Sequence, residues 1–135
     1  MKTAFISGGF DRLHAGHLYL LKRAAKLGQL SIGLNHDAYF KKKGVDRPID
    51  TYVTRYTKLM KTGMVEAIYP IEDSPLSLIM KLHPDYIVVG NDYTLDRVVG
   101  AVECLTWGGK VVIVTRIGGI STTKIIANLK HEQSH

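Results

Sequence analysis

The stretch GGFDRLHAGH, residues 8–17, sets two histidines three positions apart behind a glycine pair and an aspartate. At a helix start, side chains at i and i+3 project to one side. His14 and His17 can therefore meet one phosphate group, beside helix amides that have no intrahelical partner. Gly8 and Gly9 let backbone come close to such an anion, and the helix that begins near Ala15 or Gly16 directs its unpaired amides to the same place. Two other readings of the pair stay open. One is an ordinary surface pair; the other is a metal pair, for which Asp11 is the one nearby ligand type and the spacing does not match a zinc site.

A second run of the same character is RIGGISTTKII, residues 116–126. Gly118 and Gly119 permit close approach, and Ser121, Thr122 and Thr123 offer hydroxyls. Read as the opening of a last helix, with Ser121 or Thr122 as its cap, the run makes a second phosphate cradle. Taken alone, the hydroxyls would be no more than caps.

Between these runs lie FKKKGVDRPID, residues 40–50, and VGNDY, residues 89–93. The first is the one polar stretch long enough to be a functional loop. Its lysines, Lys41, Lys42 and Lys43, suit a phosphate, although such a run also serves as a solvated face or a nucleic-acid contact. In the second, Gly90, Asn91, Asp92 and Tyr93 follow an apolar run. Asp92 can accept from a base amino group or a ribose hydroxyl, or close an Asx turn.

Such residues need elements to position them. Five apolar runs of strand length recur: TAFIS (3–7), LSIGL (30–34), EAIYP (66–70), DYIVVG (85–90) and KVVIVT (110–115). Several are β-branched, as strands prefer. Helical spacing intervenes. Leu18, Leu21 and Ala25 share a face that Gly28 closes, and Thr51–Lys61 forms a second helix. Pro75–Leu82 is a third, with Ser74 as cap, and a fourth runs from Leu95 to Trp107 before Gly108-Gly109. Strands alternating with helices predict an α/β fold, a Rossmann-like doubly wound five-stranded parallel sheet. In such a sheet the residues above sit beyond the carboxyl ends of the strands, where ligands bind. One domain over residues 1–130 is expected, with 131–135 as a disordered tail.

The formal charge of +6 points to an anionic partner without choosing among anions. Stacking aromatics and a second dense basic cluster are missing from the sequence, which disfavours nucleic acid. Cys104 is the one cysteine, so an intrachain disulfide is excluded. Asp11 and Arg12 interrupt the N-terminal apolar run too early for a signal peptide, and no apolar stretch approaches the roughly 20 residues of a membrane helix. A cytoplasmic protein with no membrane partner is expected.

Taken together, GGFDRLHAGH and GISTTKII resemble the HxGH and ISTT signatures of the cytidylyltransferase-like nucleotidyltransferases, over nearly the whole chain. The resemblance implies transfer of a nucleoside monophosphate from a nucleoside triphosphate to a phosphorylated small molecule, with release of pyrophosphate. It makes His14 and His17 catalytic contacts to the triphosphate. FKKKG is similar to the family's lysine-bearing loop, implying a catalytic Lys43 with Lys41 and Lys42 beside the substrate. Arg55 would pair with substrate phosphate or anchor that loop. The nucleotide contacts implied are Gly9, Phe10, Asp11, Gly16, Gly90, Asp92, Arg116, Gly119, Ile120, Ser121, Thr122 and Thr123. Mg²⁺ would arrive on the nucleotide phosphates, with Asp11 orienting its waters and no dedicated protein cage. Within the family, FDRLHAGH, LNHDA, DRPIDTYVTR and HPDYIVVGNDYTLDRVVGA resemble the heptose 1-phosphate adenylyltransferases, favouring ATP. Arg116 in RIGGISTT resembles the glycerol-3-phosphate cytidylyltransferases, the CTP-dependent alternative. A homodimer is implied, and a nucleotide sensor without turnover is the non-enzyme alternative.

Overall fold

A computed structural model describes residues 1–41, 48–90, 98–117 and 120–126, with the backbone alone for residue 40, 116–117 and 120–126. The five expected runs form β1 (Thr3–Gly8), β2 (Gln29–Asn35), β3 (Ala67–Ile71), β4 (Tyr86–Gly90) and β5 (Lys110–Ile117), and a sixth strand, β6, spans Ile120–Ile126. Their order in the sheet is β3-β2-β1-β4-β5-β6. The first five strands are mutually parallel and β6 runs antiparallel to β5. The order reverses between β1 and β4, which opens a crevice beyond their carboxyl ends.

Helices cover both faces, and strand alternation decides which residues meet them. Ala4 and Ile6 of β1, with Ile32 and Leu34 of β2, pack against Leu21 and Ala24 of α1 (Ala15–Leu27) and Leu59 of α3 (Tyr52–Lys61). Phe5 points the other way. It joins Ile87 and Val111 beneath Ile79 of α4 (Leu76–Leu82) and Ala101 and Cys104 of α5 (Ala101–Leu105). Burying each large apolar side chain in these two layers contributes about 1.5–3 kcal/mol. Burial pushes the Cys104 thiol up to about 11, so it stays a protonated packing group.

At the amino ends of the strands, the Asp85 carboxylate accepts the Thr3 amide at 2.8 Å, and the Asp85 amide donates to Thr3 Oγ1 at 3.2 Å. This reciprocal pair ties the start of β4 to β1. Pro70 falls in β3, an edge strand, where a missing ladder donor is tolerated.

Three expectations are corrected. The last helix, expected from Ser121 or Thr122, is strand β6, in register with β5 from Ile117 opposite Ile120 to Val111 opposite Ile126. ISTTKII is dominated by β-branched residues, and a Gly-Gly pair between two such runs is a hairpin signal in sequence. Ser121–Thr123 therefore do not open a helix, and the amide cradle expected there is not formed by one. Residues 37–41, in part assigned to a loop, form the short helix α2 (Asp37–Lys41). The fourth helix is shorter than expected: within the described residues, α5 begins at Ala101 behind Gly100, whose φ of 84° is left-handed. Lys42, Lys43, Asn91, Asp92, Tyr93, Gly118, Gly119 and the tail 131–135 lie outside the described residues.

Candidate active site

The β1–α1 turn is wound more tightly than its glycines alone require. Phe10 and Arg12 adopt positive φ, 50° and 52°, a conformation costing non-glycine residues roughly 1–3 kcal/mol each. The turn folds the Phe10 ring back into the core, where it covers Gly8 and lies 5.3 Å from the His17 ring. A Cβ on Gly8 would stand 3.3 Å from that ring.

His14 is the N-cap of α1 and an unusual one. Its Nδ1 accepts the Gly16 amide at 3.0 Å, while His17 Nδ1 accepts the His14 amide at 3.2 Å. The rings stack at 3.8 Å between centroids. A ring nitrogen that accepts carries no proton, so each neutral imidazole holds its proton on Nε2. The turn thus presents two parallel N–H donors, one exposed and one half-buried. Gly16 has a specific reason to be glycine: a Cβ there would meet His14 Cε1 at 2.9 Å. The Gly16 amide, expected to face an anion, is instead spent on the His14 ring.

The same tautomers bear on the metal reading. Ligation through Nε2 needs the proton on Nδ1, where both rings are held as acceptors. Among the described residues, no three of His, Cys, Asp and Glu gather to hold a metal ion.

Burial first, and the neighbouring His14 second, lower the His17 pKa from its ordinary 6.5, with Asp11 opposing them. The folded chain then binds fewer protons than the unfolded chain just below that value. His17 therefore contributes stability above pH 6.5 that is lost as the pH falls through its folded pKa. A titration followed by proton–nitrogen NMR is expected to place the His17 midpoint below 6.5, and a midpoint above it would contradict this geometry.

Around the histidines, the turn is held by a network of hydrogen bonds centred on Asp11 and Arg55. Asp11 is buried, its two carboxylate oxygens accepting the amides of Ile49 (2.9 Å) and Asp50 (2.8 Å). It thus fixes the segment leading into α3 against the β1–α1 turn. Arg55, at 1% exposure, is the hub. Its Nη1 donates to the carbonyls of Gly9 and Asn35, both at 2.8 Å, its Nε to Asp50 O at 3.0 Å and its Nη2 to Asp37 Oδ1 at 2.6 Å. Of the two roles expected for Arg55, these contacts match anchoring: the buried guanidinium joins the ends of β1 and β2 to the start of α2 and the segment leading into α3.

Beyond the strand ends lies a cavity of about 400 Å³. Gly8, Gly9, Phe10 and His17 line it from the turn, Gly90 from β4, and Ile79, Val98 and Val99 from the opposite layer. Asn35 and Tyr39, which the sequence analysis did not single out, line it from β2 and α2. The structure therefore brings Gly9, Phe10, His17 and Gly90 to one crevice, with His14 stacked on His17. Arg116 and Ile120–Thr123 lie on the paired β5 and β6 backbones, with Arg116 opposite Ser121. Lys41 is exposed at the end of α2.

Comparison with known proteins agrees in fold and sequence. Residues 5–128 match the family model "Cytidylyltransferase-like". The chain is 41% identical over 131 residues to a "Bifunctional protein HldE" of Paramagnetospirillum magneticum, covering 95% of this chain and 27% of that protein. It is 42% identical over 132 residues to the protein of the same name from Caulobacter vibrioides, covering 96% and 27%. The chain thus spans little more than a quarter of the length of these relatives. Among solved structures, the lipopolysaccharide core biosynthesis protein of Thermoplasma volcanium superposes with a TM-score of 0.70 at 26% identity, covering 87% of this chain and 97% of that one. A pantothenate synthetase of Thermus thermophilus shares the fold, with a TM-score of 0.62 at 17% identity over 87% of this chain and 56% of that one.

Proposed function

Because the chain belongs to the cytidylyltransferase-like family, we propose that it transfers a nucleoside monophosphate to a phosphorylated sugar, with ATP and heptose 1-phosphate giving ADP-heptose and pyrophosphate. The observation that carries this reading is the pair of Nε2–H donors fixed at the mouth of the crevice by backbone amides. An oxygen of the acceptor phosphate attacks the α-phosphorus in line, the bond from that phosphorus to the α–β bridging oxygen breaks, and pyrophosphate leaves. The attacking oxygen is already ionised, so the protein supplies no nucleophile; it positions the two phosphates and stabilises charge. His14 and His17 donate to oxygens of the triphosphate as charge builds on the leaving group, already oriented before substrate arrives. The strained turn at Phe10 and Arg12 and the Arg55 network hold them there.

Lys43, or Lys41 or Lys42, adds a positive charge to the phosphates in this reading, and Gly90, Asp92, Arg116 and Ile120–Thr123 line the nucleotide side. Mg²⁺ would arrive on the triphosphate and would neutralise part of its charge. Both oxygens of Asp11 already accept amides. The ion would be carried on the phosphate oxygens, with Asp11 placed to orient its waters. The homodimer and the cytoplasmic location belong to the same proposal. Among the described residues, no helix is long and apolar enough to cross a membrane.

The likeness of FDRLHAGH, LNHDA, DRPIDTYVTR and HPDYIVVGNDYTLDRVVGA to the heptose 1-phosphate adenylyltransferases supports this acceptor class, and Arg116 motivates the CTP and glycerol 3-phosphate arm. Incubation with Mg²⁺, each of ATP and CTP, and each of heptose 1-phosphate and glycerol 3-phosphate tests the choice. Pyrophosphate release is expected to be fastest with ATP and heptose 1-phosphate. Faster release with CTP and glycerol 3-phosphate would replace the substrates, and nucleotide binding without release from any pair would favour a sensor.

A further inference from the structure

Asn35 closes β2 with 6% exposure, and among the described residues its carboxamide has no hydrogen-bond partner. Its carbonyl oxygen on the main chain accepts from Arg55 at 2.8 Å, and the next residue's amide donates to Ile71 O at 2.8 Å. The backbone is therefore held on both sides. Among the described residues the side-chain amide makes no hydrogen bond, yet no described side-chain N or O is fully enclosed without a partner. Asn35 is one of the residues that line the cavity. An amide buried to this degree costs free energy unless something bonds it.

We infer that Asn35 is a specificity-determining residue that reads the hydroxyl groups of a bound substrate. The inference rests on the nucleotidyl-transfer reading of the same crevice. A carboxamide offers one acceptor and two donors with no charge. It therefore matches vicinal hydroxyls, each of which gives and takes a hydrogen bond, better than it matches a phosphate. Phosphate recognition falls to the two imidazole donors across the turn. A site that hydrogen-bonds a hydroxyl discriminates sharply against ligands lacking it, because its own polar group is then left unpaired. The hydroxyls belong either to the sugar of the acceptor or to the ribose of the nucleotide.

The test is titration calorimetry on the full chain, wild type against Asn35→Leu and Asn35→Ser, with heptose 1-phosphate, MgATP and pyrophosphate as separate probes. Pyrophosphate has no hydroxyl group on carbon and serves as the control. Asn35→Leu is expected to weaken one hydroxyl-bearing ligand about 10- to 100-fold, the loss of two or so hydrogen bonds, with pyrophosphate unchanged and Asn35→Ser intermediate. Selective loss of heptose 1-phosphate assigns the acceptor, and selective loss of ATP assigns the ribose. Unchanged affinity for both, or an equal loss that includes pyrophosphate, would overturn the inference while leaving nucleotidyl transfer in place. Wild-type protein that binds none of the three would overturn both.

Discussion

Replacing His14 with asparagine is expected to lower kcat/KM about 100- to 1000-fold, the usual cost of one donor aimed at developing charge, with little change in stability. His14 does two jobs at once. Its Nδ1 caps α1 by accepting the Gly16 amide, and its Nε2–H is the outward donor. Asparagine is among the best N-cap residues, so the cap survives when the donor is lost. His14→Ala removes both and is expected to cost about 1 kcal/mol of stability in addition. His17→Ala is expected to match the rate loss, since its ring supplies the second donor and buttresses the first at 3.8 Å. Steady-state rates together with urea denaturation separate the two jobs. A His14→Asn protein with near-normal turnover would remove His14 from the reaction.

Arg55→Met is expected to destabilise the fold by about 2–4 kcal/mol, because a buried guanidinium is lost and the carbonyls it served are left without their donor. The cost arises from what remains. Without the guanidinium, the Gly9, Asn35 and Asp50 carbonyls lose a common donor and Asp37 loses its partner. A domain of this kind has only about 5–15 kcal/mol in hand, so the variant is expected near the edge of folding. Arg55→Lys keeps the charge but cannot fork across four acceptors, and should fall between. Urea midpoints decide it: a loss under about 1 kcal/mol for both variants would show that the hub is not what holds the turn. Because Gly9 and Asn35 both line the crevice, surviving variants are expected to bind ligands more weakly as well.

Much of this was legible in the residue pattern, for identifiable reasons. Runs such as DYIVVG and KVVIVT are short, β-branched and bounded by turn residues, and parallel strands buried on both faces look like that. The α1 helix was marked by its apolar spacing and by Gly28. The histidine pair was legible as a pair, but its tautomers were not, since these depend on which backbone amide each Nδ1 meets. ISTTKII misled because serine and threonine favour helix caps as well as strands, and pairing with β5 settled the conflict. Arg55 could not be told from a surface arginine by sequence, because its acceptors, Gly9, Asn35, Asp37 and Asp50, come from three separate stretches of the chain. Asn35 was hidden for the same reason: the LNHDA segment was noted, but only the fold brings Asn35 to the lining of a cavity.

The central claim is that an oxygen of the acceptor phosphate becomes bonded to the α-phosphorus of the triphosphate and that pyrophosphate leaves. It is tested most directly with heptose 1-phosphate labelled with ¹⁸O in its non-bridging phosphate oxygens, incubated with Mg²⁺ and unlabelled ATP, and followed by mass spectrometry. The account predicts ADP-heptose that retains every labelled oxygen, one of them now bridging the two phosphorus atoms, together with unlabelled pyrophosphate. Label in the released pyrophosphate, or orthophosphate in its place, would contradict it.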